Sequence, residues 1–154
     1  MIRFRFAVDV ARPAHDVFQY VTDPTKLREW QGTDNVEQIT AGPVGLGSRL
    51  REVRVVLGRR LESLTEVVAY EPDRRFEIRI LSGPMPVEDR WVFEEVAGGT
   101  RVLFSTEGST HGILRLAEPL IGVVLARRRR THHARLKHAL EASAGAADQI
   151  RRGE

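Results

Sequence analysis

Ile2, Phe4, Phe6, Val8 and Val10 alternate with Arg3, Arg5, Ala7 and Asp9. That period of two marks a half-buried strand. Pro13 then suits the first turn of a helix, where a missing N–H costs nothing, and Val17, Phe18 and Val21 give that helix an apolar side. Asp23-Pro24 stops it and starts a second short helix through Leu27 to Trp30. A polar stretch, Gln31 to Asn35, leads into a strand from Val36 to about Thr40.

The middle of the chain keeps the strand period between turn signals. Gly42-Pro43-Val44-Gly45-Leu46-Gly47 is a loop. Its glycines do not make a phosphate-binding loop, because a strand, Ser48 to Leu57, follows where a helix would be required. Further strands are predicted over Arg60–Tyr70, Arg75–Leu81, Val87–Glu95 and Arg101–Glu107. Gly58, Glu71-Pro72-Asp73, Ser82-Gly83-Pro84 and Ala97-Gly98-Gly99 separate them. A hairpin turning at Ala97-Gly98 puts Trp91 and Phe93 on one face with Val102 and Phe104, and leaves Arg90, Glu94 and Arg101 on the other.

From Ile113 to about Ala144 the period becomes helical. Leu114, Ala117, Ile121, Leu125, Leu136 and Ala139 form one stripe at steps of three and four. Pro119 either kinks this helix or marks its true start. At 1.5 Å per residue the helix reaches roughly 45 Å, enough to cross a whole sheet. The pattern predicts an α+β fold: seven antiparallel strands curved around a long C-terminal helix, with two short helices after the first strand. One domain is expected over residues 1–145, with 146–154 as a frayed tail. A sheet gripping a helix in this way suggests a container for an apolar small molecule.

Composition narrows the chemistry. The 154 residues suffice for one core without disulfides or metal. The absence of cysteine removes thiolate catalysis and cysteine-based zinc sites. It is also compatible with a reducing compartment, and the alternating start shows no signal-peptide pattern, so a cytoplasmic location is expected. No apolar run approaches membrane-spanning length. The net charge is +3, and the basic residues are almost all arginine, Lys26 and Lys137 being the lysines. A GC-rich genome explains that bias more simply than nucleic-acid binding.

These elements carry a resemblance. Val8-Asp-Val-Ala-Arg-Pro-Ala-His-Asp-Val-Phe, Asp23-Pro24 with Trp30, and Gly45-Leu-Gly-Ser-Arg-Leu come first. Tyr70-Glu-Pro-Asp-Arg-Arg-Phe, Trp91-Val-Phe-Glu with Gly99-Thr-Arg-Val, and Leu136-Lys-His-Ala-Leu-Glu141 follow in order. Together they resemble the SRPBCC (START-like) superfamily, most closely its polyketide cyclase/dehydrase branch, over nearly the whole chain. The resemblance implies a helix-grip fold with a deep hydrophobic cavity, and a ligand such as a lipid, quinone or polyketide. In aromatase/cyclase members an inward arginine on a central strand orients the substrate; the matching position falls near Val67, and its lack of an arginine weakens a cyclase reading.

The candidate residues follow. Trp30 sits where the resemblance implies an aromatic near the cavity mouth, to stack on a ligand or to pack its helix. Glu62 and Glu66 share one strand face; inward, they would be general-base candidates, and outward, solvated partners of Arg51 or Arg75. The outward reading is preferred because glutamate is rarely buried unpaired. The other face offers Ser63 and Thr65 as hydrogen-bonding groups in a smooth wall. Asp89 and Thr106 share the face of Trp91, Phe93 and Phe104, either wet near the rim or, deeper, as a ligand anchor or acid/base couple. Asp89 and Glu62 are therefore the catalytic candidates.

On the helix, Arg128 and His132 extend the apolar stripe and could hold an anionic head group such as a carboxylate, although a stripe that runs past the sheet would leave both solvated. His111, His132, His133 and His138 show no metal-ligand spacing, and no cofactor is expected. The run Arg127–Arg130 points around the whole helix and reads as solvated; a protein-interaction role for it is a further possibility. The leading expectation is binding of a hydrophobic or aromatic small molecule, with a cyclase/dehydrase-type enzyme using an inward acid/base residue as the alternative.

Overall fold

The computed structural model describes residues 1–83 and 85–153. Strand β1 (Ile2–Val10) runs into helix α1 (Ala14–Thr22), which Pro13 precedes. Asp23 caps a 3-10 turn (Pro24–Lys26) through its carboxylate, which accepts the Thr25 N–H, and helix α2 (Leu27–Gln31) follows. Strands β2 (Asn35–Gln38), β3 (Arg49–Val56), β4 (Arg59–Glu71), β5 (Arg75–Ser82), β6 (Val87–Val96) and β7 (Gly99–Gly108) come next. All seven strands form one antiparallel sheet in the order β1-β7-β6-β5-β4-β3-β2. Helix α3 (Glu118–Arg152) crosses it after a 3-10 turn over Gly112–Ala117.

The predicted α+β architecture is the observed one. Pro119 marks the start of α3 rather than a kink. The helix also extends beyond Ala144 to Arg152, so residues 146–152 are helical where the sequence pattern predicts a tail. The β6–β7 turn falls on Ala97-Gly98, with Val96 paired to Gly99 and Gly98 at φ 82°. In the turn predicted over 82–84, Ser82 ends β5 and Gly83 adopts φ 138°; Pro84 lies outside the described residues.

The inner face of the sheet is dry because its strands alternate in phase. Phe76 and Ile78 of β5, Trp91 and Phe93 of β6, and Val102 and Phe104 of β7 are buried, while Arg79, Arg90 and Arg101 are exposed. Phe18 of α1 plugs one end, edge-on to Phe93 at 5.3 Å and to Tyr70 at 5.2 Å. Leu136 and Leu140 of α3 complete this packed half. On β4 the inward positions are Thr65 and Val67, both buried. Glu66 pairs with Arg49 at 2.9 Å and Glu62 with Arg51 at 2.9 Å on the outer face.

A close backbone approach sets where β7 begins. A Cβ on Gly99 would lie 2.0 Å from the Val10 carbonyl oxygen, so only glycine lets the end of β1 pass there. Gly99→Ala is expected to cost about 1–3 kcal/mol by forcing these strands apart. Gly145→Ala, in an open helical position, is expected to add about 0.5–1 kcal/mol. Urea denaturation of the two variants measures both.

Candidate functional site

Between the β3–β4 hairpin and the middle of α3 the core is not filled. A cavity of about 180 Å³ opens there, walled by apolar Val56, Leu61, Ile78, Ile80, Met85, Val87 and Leu125. Its polar wall is formed by Gln31, Glu52, Arg54, Ser63, Asp89, Arg128, Arg129 and His132, with Glu62 at the edge. Apolar walls with a few convergent polar groups are the usual composition of a small-molecule pocket.

Asp89 anchors the polar wall. It is 0% exposed, accepts a 2.7 Å hydrogen bond from the Thr106 hydroxyl, and meets Arg129 Nη2 at 2.6 Å through Oδ2. The second contact is a close ion pair without hydrogen-bond alignment, and Arg129 Nε has no partner among the described residues. Asp89 and Thr106 face each other across β6 and β7, so strand register brings the two together. One helical turn on from Arg129, His132 is 4% exposed, and its Nδ1 has no partner among the described residues. Burial first, then the positive charges of Arg129 and Arg54, push its pKa down to about 3, so the ring is neutral at physiological pH. Arg54, on the facing strand, donates to Gln31 Oε1 at 3.1 Å and pairs with Glu52 at 3.5 Å.

His133 belongs to the packed half. It accepts from Trp91 Nε1 at 2.9 Å through Nε2, and its Nδ1 lies 2.7 Å from the Arg129 carbonyl oxygen, to which it donates as the Nδ1–H tautomer. Its ring is surrounded by Phe104, Phe6 and Trp30 at centroid distances of 4.5, 5.0 and 5.4 Å. Desolvation there pushes its pKa down to about 4.

The structure distributes the predicted site residues over three environments. Asp89, Ser63, Arg128 and His132 line the cavity. Asp89 and Thr106 lie deep rather than near a wet rim, and Thr106 serves as the hydrogen-bond donor to Asp89 rather than as a wall residue. Trp30, Thr65, Trp91, Phe93 and Phe104 do not line the cavity; they are packed in the solid half, where aromatic rings leave no room for a ligand. Trp30 packs its helix, 6.5 Å from Trp91. Glu62 stands exposed at the edge beside Arg51 and Arg60. Sequence reasoning missed Arg129, Arg54, Gln31 and Glu52. Arg129 follows Leu125 and precedes His132 and Leu136 at helical spacing, the one signal that sets it apart within the arginine run.

A helix-grip sheet closed by a long C-terminal helix, with a polar-walled cavity under that helix, defines the SRPBCC (START-like) class. The chain belongs to the polyketide cyclase / dehydrase and lipid transport family, whose model matches residues 1–141. No curated protein matches the sequence. Among solved structures, TTHA0849 from Thermus thermophilus is similar at 20% identity, with 92% of this chain and 98% of that chain covered and a TM-score of 0.76. The di-domain ARO/CYC BexL from the BE-7585A biosynthetic pathway is similar at 20% identity over 92% of this chain and 47% of its own, with a TM-score of 0.75. Ara h 8.0201 shares the fold at 12% identity, covering 91% of this chain and 97% of its own, with a TM-score of 0.69.

Two outcomes test the electrostatics. Asp89→Ala should cost about 3–5 kcal/mol by leaving Arg129 buried without its counter-charge, whereas Asp89→Leu/Arg129→Met should stay much closer to the parent. The histidines act through pH. Their folded pKa values lie below the ordinary 6.5, so the unfolded chain binds more protons between about pH 6.5 and 3. Stability therefore falls as pH drops through that window, with a slope approaching about 1.4 kcal/mol per pH unit for each imidazole. Urea titrations from pH 7 to 4 should show a shallower fall in His132→Gln than in the parent.

Proposed function

We propose that the protein binds a small molecule with an apolar, aromatic-sized body and one oxygen acceptor: a carboxylate, phenolate or conjugated carbonyl. The carrying observation is the mismatch on the polar wall, where Arg129 Nε and His132 Nδ1 are buried without a hydrogen-bond partner among the described residues, in side chains that line an apolar cavity. A buried N–H without an acceptor, as at Arg129 Nε and at His132 Nδ1 in its Nδ1–H tautomer, costs about 1–3 kcal/mol. A ligand oxygen, supplied where Arg129, Arg54 and His132 converge, would remove part of that cost on binding. The apolar walls would hold the ligand body, and Ser63 would add a hydroxyl at the β4 side. The family's lipid-transport and cyclase members are both consistent with a ligand of this kind.

The geometry supports binding better than acid/base catalysis. Both Asp89 oxygens are engaged, by Thr106 and Arg129, and Glu62 is an exposed partner of Arg51. His132, held neutral with a pKa of about 3, is a weak base. Val67, at the position where the aromatase/cyclase resemblance implies an inward arginine, is buried in the core. The four arginines of the run do not act as one group: Arg129 points inward to Asp89, whereas Arg127, Arg128 and Arg130 are exposed.

Calorimetric titration with 2-naphthoate, with naphthalene as the uncharged comparator, tests the reading. The parent should prefer the carboxylate, and Asp89→Leu/Arg129→Met should lose that preference by roughly ten- to a hundred-fold, the value of one charge-assisted hydrogen bond. Equal affinity of the parent for both probes would remove the acceptor from the proposal. Failure of both to bind, together with an empty mass in native mass spectrometry of the purified protein, would remove ligand binding itself.

A further inference from the structure

The first third of α3 is amphipathic in the reverse sense. Toward the sheet it presents Glu118 and Arg129, both buried, and Gly122, which lies beside Ile2 of β1. Toward solvent it presents Leu120, Val123 and Val124, exposed by 69%, 67% and 60%. The preceding 3-10 turn continues the ridge with Ile113 and Leu116, exposed by 83% and 85%. With Leu114, 50% exposed, six large aliphatic side chains within twelve residues are exposed among the described residues, and apolar exposure of that extent marks an interaction surface.

Charge identifies what the ridge fits. Between His111 and Leu140 the sole acidic residue is Glu118. Its carboxylate is already taken, accepting from the Thr110 N–H and hydroxyl at 2.7 and 2.9 Å and meeting the Met1 ammonium. Arg115, Arg127, Arg128, Arg130 and Arg135 are exposed in the same stretch. By helical phase Arg127 continues the line of Leu120, Val123 and Val124, while Arg128 and Arg130 flank it on either side. An aliphatic ridge bordered by arginines whose stems can lie along apolar surface while their heads reach outward matches the interfacial helix of a peripheral membrane protein.

We infer that this ridge docks on an anionic lipid surface, with Ile113, Leu116, Leu120, Val123 and Val124 entering the headgroup boundary and the arginines contacting lipid phosphates. A second copy of the chain fits less well, because a two-fold contact would set the same arginine-rich surface against itself. The position is also pertinent to the cavity. Leu125 and Arg128 line it on the helix that carries the ridge. The β3–β4 hairpin contributes Val56 to the same cavity, and its tip residue Leu57 is 98% exposed. Docking would bring this wall of the cavity close to the lipid interface. The inference stands on the ridge and its charges and does not depend on the ligand class proposed above.

Flotation with vesicles of phosphatidylcholine containing about 30 mol% phosphatidylglycerol, at low salt, tests it. The parent should float with these vesicles and bind pure phosphatidylcholine at least tenfold more weakly. Leu120→Glu/Val124→Glu, at exposed positions, should keep the parent's circular dichroism and melting temperature while losing vesicle binding at least tenfold. Arg127→Gln/Arg130→Gln should weaken binding to the anionic vesicles alone, as should salt at about 0.5 M. Absence of flotation with anionic vesicles, or flotation unchanged in the Glu variant, would overturn the inference. So would light scattering that shows a parent dimer dispersed by Leu120→Glu/Val124→Glu, which would assign the ridge to self-association.

Discussion

The placement of α3 depends on the buried contact between Asp89 and Arg129. A charged pair taken from water loses hydration that its mutual attraction only partly replaces. It therefore adds little net stability, but it tolerates few alternatives, because either charge left alone would be far worse. Asp89 is fixed by its strand and by Thr106. Fixing Arg129 against it sets the rotation and the axial position of the helix. His132, His133 and Leu136 then reach their places by helical spacing alone, one turn and two turns further on.

That constraint divides the space under the helix into two unlike halves. Toward the C-terminal part of α3 the contents are aromatic rings and leucines, with His133 integrated as a neutral ring bonded to Trp91. Toward the N-terminal part the volume is left open, and its wall keeps charged and hydrogen-bonding groups at a depth where they are normally avoided. The packed half can supply the stability that the open half withholds. The boundary runs through adjacent helix residues, His132 facing the cavity and His133 the packed rings.

The strands, their turns and the long helix were legible because each obeys one local period. The outward direction of Glu66 also followed from the rarity of unpaired buried carboxylates, and Glu62, exposed and paired with Arg51, stands at the cavity edge. The site was legible in part. Ser63, Arg128, His132 and Asp89 could be nominated from face and phase, but the depth of Asp89 could not, since an aspartate on an aromatic strand face reads equally well as a rim residue. Arg129 was hidden within four consecutive arginines, where composition argues for solvent and only phase argues for burial. Arg54 and Glu52 alternate on β3 like any surface pair. Their inward direction follows from pairing opposite Leu61 and Ser63, a tertiary fact. The aromatic face of β6 and β7 was read correctly as dry, yet dryness does not distinguish a filled core from a lined cavity.

The sheet order has a consequence for how the chain reaches this state. β1 lies beside β7, with Ile2 paired to Gly108 and Val10 to Thr100. Among the described strands the first thus pairs with the last, and the hairpins β3–β4 through β6–β7 can zip up while it waits. Contacts so distant along the chain close slowly, because the loop entropy is lost before the pairing is gained. A nascent chain of this protein would hold its N-terminal Phe4 and Phe6 unpaired until β7 emerges, so the interval before that closure is when it most needs protection from association with other chains.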